Sequence, residues 1–229
     1  MRIISACLLS LMLLFSPLTN VFGHGQQFSF PKASEGQIQE AEARLVPLRF
    51  LPSHPLHFLI LTKETLQRFL QPSAATRAGF DLVLAGKRIK EAYLLTQSGD
   101  FENASHGLFN YSKRLDKLVF QFEKARSQNQ EVVPLADRIA EGLKDHETLL
   151  SAINQKWQGQ EDAYDFDTNL AGAVSAFSKM ALAIDNVRPG LKDRFMLVVD
   201  KGTDDVILPY VSPPVLEASP SGKPRRIIF

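Results

Sequence analysis

The sequence predicts an all-α fold: an antiparallel up-down-up-down helical bundle. Short N-terminal helices precede it. A small C-terminal hairpin or short helix and a disordered tail follow it. Three observations predict this. Four successive segments carry apolar residues at steps of three and four, the spacing that lays one stripe along a helix. Short polar turns separate them, so consecutive helices run antiparallel. The stripes are wider than two positions per heptad, which favours a globular bundle over an exposed coiled coil.

Residues 1–23 read as a signal peptide. Arg2 supplies a positive start, residues 3–15 an apolar run, and Val21-Phe22-Gly23 a small-residue cleavage site. The run is short for a membrane span, which favours a cleaved signal over a retained anchor. The one cysteine, Cys7, lies inside it, with too little apolar sequence before it for lipoprotein processing. The mature chain is then exported without disulfides and depends on its core. No transmembrane segment is expected in it.

Residues 24–33 form a polar linker, and the bundle domain is read over 34–190. Ser34 caps a short helix with Ile38 and Ala41 on its inner face, ended by Pro47. Pro55 suits the first turn of a second short helix, about 55–71. It bears Leu56, Leu59, Ile60, Leu66, Phe69 and Leu70, and Lys63 interrupts the series to point to water.

Ser73 caps the first long helix, whose seam is Ala78, Leu82, Ala85, Ile89 and Ala92, widened by Leu84 and Leu95. Arg77 with Asp81, and Lys87 with Glu91, are i,i+4 pairs expected on a wet outer face. Gly99 offers a left-handed cap and Asp100 starts the next helix. Its stripe is Phe101, Ala104, Leu108, Tyr111, Leu115, Leu118, Phe122 and Ala125, with Val119 and Phe120 widening it and Gln121 off it. Pro134 opens the third long helix, striped by Val132, Ala136, Ile139, Leu143, His146, Leu150, Ile153 and Trp157, with Leu135 and Leu149 beside them. The fourth carries Phe166, Leu170, Ala173, Val174, Phe177, Met180, Ile184 and Val187 and stops at Pro189-Gly190. An appendage over 191–211 is either a β-hairpin turning at Lys201-Gly202 or a short helix. Residues 212–229, rich in Pro, Ser and Gly, read as disordered.

The 229 residues suit one domain, or one domain with appendages, and the net charge of +1 sets up no global field toward nucleic acid or anionic lipid. No Gly-rich phosphate loop and no Gly-x-Ser-x-Gly elbow is present. The absence of cysteine after Cys7 excludes thiol catalysis and cysteine-rich metal sites in the mature chain.

Residues 51–153 contain Pro52, Pro55, Leu56, His57 and Leu59, then Arg88, Glu91, Ala92, Leu95, Gly99 and Ala104. This stretch resembles a family of uncharacterised helical domains from secreted and envelope-associated bacterial proteins. Those domains open on Pro-x-x-Pro-Leu-aromatic-x-Leu and continue into a helix pair broken at Gly. His57 stands where the family has an aromatic. The resemblance implies a helical envelope domain and carries over no catalytic residue.

Candidate chemistry is sparse. His54 and His57 are three apart, a chelating spacing, but they straddle Pro55 and lack a local third ligand. His106 is isolated. His146 sits in a seam, where a histidine is usually packed and hydrogen-bonded. His24 would become the N-terminal residue after cleavage and could grip copper through its amine and ring, but that chemistry needs a second, well-placed His. Glu161, Asp162, Asp165 and Asp167 lack the Gly and terminal Glu of a calcium loop and suit a helix N-terminus. Lys223, Arg225 and Arg226 make a basic end suited to weak docking. No catalytic, cofactor-binding or metal-binding residue is assigned, and no cofactor is expected. The expectation is an exported, non-enzymatic interaction or scaffolding module of the bacterial envelope, with another envelope protein as partner. The alternative is a small-ligand or metal-binding bundle.

Overall fold

The computed structural model describes residues 28–48, 54–158 and 164–197. Helix α1 spans Glu35–Arg44, α2 His57–Phe69, α3 Ala74–Gln97, α4 Phe101–Ser127, α5 Val133–Trp157 and α6 Tyr164–Asp185, followed by a 3-10 turn at Lys192–Arg194. There is no strand among the described residues.

The helix ends follow local chemistry. Ser34 with Gln37, and Ser73 with Thr76, form reciprocal capping boxes that satisfy otherwise orphaned N–H groups. Asp100 accepts from the Asn103 N–H at 3.3 Å, and Pro134 occupies the first turn of α5. Gly99, at φ +80°, supplies the left-handed residue that lets α3 reverse into α4.

Helices α3 to α6 alternate in direction and form a four-membered ring. Its order around the circumference is α3, α4, α6, α5. The antiparallel neighbours are α3/α4, where Gly107 meets Ala92 and Arg114 reaches Asp81, and α5/α6, where Trp157 bonds Asp167 and Arg188 just past α6 reaches Asp137. The other two neighbours run parallel. Along α3/α5, Gly79 faces Arg138, Leu82 faces Gly142 and Gly86 faces His146. Along α4/α6, Ser105 bonds Asn169 and Asp116 pairs with Lys179. The link from α4 to α5 therefore crosses the diagonal of the ring. Gln130 in that link ties it to α3 by accepting from the Ala75 N–H at 2.9 Å.

The four stripes line the ring interior. Leu108, Tyr111, Leu115, Leu118, Phe122, Ile139, Leu143, Leu150, Phe177 and Ile184 are all fully buried. Each such large side chain contributes roughly 1.5–3 kcal/mol by leaving water. Trp157 stacks on Phe166 with centroids 4.2 Å apart, and Phe101 meets both edge-on. Phe28 and Phe30, in the 24–33 segment, pack against the same core. Beyond α6, Leu191, Phe195 and Leu197 are buried in it too. Glu147 Oε1 holds that end by accepting from the N–H groups of Met196 and Leu197 at 2.6 and 2.7 Å. Residues 1–23, expected from the sequence to be a signal peptide, lie outside the described residues, as do the remainder of the appendage and the tail.

Four local expectations are corrected. Phe120 points to solvent instead of widening the α4 stripe. Gln121 is buried, and its Oε1 has no hydrogen-bond partner. The i,i+4 pairs of α3 do not form: Asp81 is taken by Arg68 and Arg114, and Glu91 by Arg88. Their face of α3 is not wet, because α2 lies on it.

Candidate functional site

Helix α2 is amphipathic in the inverted sense. Its charged side is turned toward α3 and its apolar side toward solvent. His57, Glu64 and Arg68 fall at i, i+7 and i+11, on one face of a helix. On α3, Asp81, Arg88 and Glu91 line the side away from the bundle core. The two charged faces meet.

Two groups of ions result. In the first, Glu64 is buried and receives Lys87 Nζ at 3.0 Å and the guanidinium of Arg88. Arg88 Nη1 also lies 2.6 Å from both carboxylate oxygens of Glu91. His57 Nε2 sits at the edge, 3.6 Å from Glu91 Oε1 and 3.5 Å from Arg88 Nη1. In the second, Arg68 Nε and Nη2 donate to the two oxygens of buried Asp81 at 2.7 and 2.9 Å. Arg114 Nη1 approaches Asp81 from α4 at 3.5 Å. The hydrogen bond to Asp81 raises the pKa of Arg68. Burial lowers that of Arg114. Burial, then the nearby Arg114, lowers that of Lys117. The first group is balanced in charge. The second has one carboxylate for two guanidiniums.

This network fastens α2 to α3. Each buried ion is stabilised only while its partner is present, since a charge left alone in the interior keeps its desolvation penalty. What it leaves outside is a row of apolar side chains. Phe69 is 80% exposed, and Phe58, Leu59, Leu66 and Leu70 are exposed with it. The apolar series read from the sequence thus exists, but it faces water along with Lys63. The two charged rows at helical spacing were the available sign that these helices meet through ions.

A cavity of about 370 Å3 opens beside α2, bounded by Val46, Leu48, Leu56, Leu59 and Ile60, with Glu64, Lys87 and Glu91 among its lining.

The histidines do not converge. His54 Nδ1 accepts from the Leu56 N–H at 3.1 Å, a local turn contact, while His57 faces the ion network. His106 is exposed on α4. His146 is fully enclosed, with its Nδ1 3.3 Å from the Tyr111 hydroxyl and its ring edge-on to that of Tyr111. Burial lowers its pKa to about 3 and raises that of Tyr111. Among the described residues, no three His, Cys, Asp or Glu side chains are grouped to hold a metal ion. Asp167 accepts from Trp157 Nε1 at 2.7 Å and so serves packing, while Asp165 is exposed. Glu161, Asp162, His24, Lys223, Arg225 and Arg226 lie outside the described residues.

Compared with protein-family models, with curated proteins and with solved structures, the chain matches none.

Proposed function

We propose that this protein is a non-enzymatic interaction module of the cell envelope that docks through the outward face of α2. One observation carries the reading: α2 turns His57, Glu64 and Arg68 to its attachment on α3 and presents its large apolar residues to solvent. Contiguous exposed apolar surface of this kind marks interaction sites. The apparent signal over 1–23 and the resemblance over 51–153 support the envelope setting. The test is protection in the native host. With Cys7 changed to Ser, Thr62→Cys places one thiol on the α2 face. Reaction with a water-soluble maleimide is expected to be fast in the purified protein and suppressed in the intact envelope. Equal labelling in both would defeat the docking role.

The cavity lined by Leu56, Leu59, Glu64, Lys87 and Glu91 supports a second reading, a small-ligand site with apolar walls and a charged patch. Saturable stabilisation by a host metabolite extract, lost in Leu59→Gln, would favour it.

A further inference from the structure

Several features of the α2 face bear on what covers it. Its outward row, Phe58, Leu59, Leu66, Phe69 and Leu70, includes no acid, because the helix's one carboxylate, Glu64, is turned inward. Thr62 and Thr65, exposed on the same helix, donate their hydroxyls back to the carbonyls of Phe58 and Leu61 at 2.9 and 2.8 Å. Neither hydroxyl then needs an outside acceptor, the condition for entering a medium that offers none. The C-terminal end of α2 is cationic. Lys117, exposed on α4, feels Arg114, Arg68 and Lys113 as well as the carboxylate of Asp81, and Lys113 is exposed on the same helix, while Asp116 between them is paired with Lys179. Lys63 adds a further exposed cation. Finally, no helix among the described residues is long and apolar enough to cross a membrane. An apolar helix face flanked by cations, on a helix too short to span, suits in-plane seating at a lipid surface.

We propose that α2 seats the protein on an anionic bilayer, its apolar row entering the headgroup–acyl boundary and Lys63, Lys113 and Lys117 facing the lipid phosphates. This rests on α2 being the docking face. The ion network gives the helix a rigid mount: Glu64 and Arg68 hold its orientation before any lipid is met, so seating need not first order the helix. The net charge of +1 conceals the cationic end because acids elsewhere offset it.

The experiment uses the full chain recovered from its host, with Cys7→Ser and a polarity-sensitive fluorophore at Thr62→Cys. It is mixed with vesicles of phosphatidylcholine alone or with added phosphatidylglycerol. A blue shift is expected with phosphatidylglycerol, at an affinity about tenfold higher than with phosphatidylcholine alone, and weakened by salt. Leu66→Gln with Phe69→Gln, both exposed and so neutral to folding, is expected to lose the shift. Lys117→Glu is expected to weaken it several-fold. An equal shift with both vesicles, or a shift retained in Leu66→Gln with Phe69→Gln, overturns the proposal. Absence of any shift, while position 62 stays protected in the envelope, overturns the lipid and leaves docking on a protein. Self-association that is lost in Leu66→Gln, without vesicle binding, overturns it in favour of a second copy. Absence of both shift and protection defeats the docking role as well.

Discussion

Arg68 on α2 grips Asp81 on α3 at two points, Nε to Oδ1 at 2.7 Å and Nη2 to Oδ2 at 2.9 Å. The planar guanidinium matches the carboxylate edge, so the pair fixes rotation as well as distance. Together with Glu64 on Arg88, it sets which side of α2 faces out.

Asp81→Asn is expected to cost about 3 kcal/mol, the lower end for breaking a buried pair, because Arg68 keeps some access to water. Arg114 would lose the same partner. In a cycle with Arg68→Gln, the double variant is expected to lose less than the sum of the singles. Urea denaturation of the four proteins measures this. Strict additivity would mean that the two residues do not interact.

Leu118 is fully buried in the α4 stripe, whereas Phe120, two residues on, is mostly exposed. Leu118→Ala is expected to cost about 2–5 kcal/mol by transfer and cavity terms. Phe120→Ser is expected to stay within about 0.5 kcal/mol. Matching denaturation midpoints for the two would contradict the placement of the stripe.

Gly107 lies where α3 and α4 touch. A Cβ there would sit 3.0 Å from the Ala92 Cβ and 3.1 Å from its Cα. Alanine in a helix normally gains up to about 1 kcal/mol over glycine. Here the obstacle is backbone, so the helices must part, and overpacking of this kind costs roughly 1–3 kcal/mol. Gly107→Ala is therefore expected to lower the melting temperature. Gly172→Ala, with nothing within 4 Å of its Cβ, is expected to raise it slightly. A higher melting temperature for Gly107→Ala would show that the contact is looser.

His146 gives stability a pH dependence of known sign. Burial holds its folded pKa at about 3, below the roughly 6.5 of an unfolded chain. As pH falls through 6.5 the unfolded chain takes up a proton that the folded protein refuses. Stability is full above that pH and declines by up to about 1.4 kcal/mol per unit below it. Glu147 and Asp145, whose pKa values burial raises, act in the opposite sense near the carboxylate range. The slope is therefore best read between pH 6.5 and 5 by urea midpoints. His146→Gln is expected to flatten it. A wild-type curve already flat there would refute a buried neutral imidazole.

The bundle was legible because its stripes are long and periodic. Every seam residue of α3 named from spacing, Ala78 to Ala92, is buried, and Ser34, Ser73, Gly99 and Asp100 act at the ends where their chemistry places them. The candidate site was not legible, because apolar residues on a short helix are ordinarily taken to face a core. On α2 that rule fails. The polar partners of Glu64 and Arg68 lie 24 and 13 positions away in sequence, and a preference for burying Leu and Phe does not reveal them. Asp81 was misassigned for the same reason. An acid four residues from Arg77 looks locally paired, and only tertiary packing brings Arg68 and Arg114 to it. Gln121 shows the remaining gap: its position beside the stripe does not reveal that α4 is enclosed on that side too.

The diagonal link between α4 and α5 bears on how the molecule assembles. The hairpins α3/α4 and α5/α6 each turn back through a short connection, so their contacts form among near neighbours in the chain. The parallel seams join remote positions, such as Ser105 and Asn169, 64 apart. Contacts at such separation carry the larger loop-closure entropy and slow folding. The two halves thus resemble a pair of clips laid side by side, and joining them is expected to be the slower part of refolding. The same geometry means that a cut within 128–132 would leave two hairpins, each with its own half of the core and a matching face for the other.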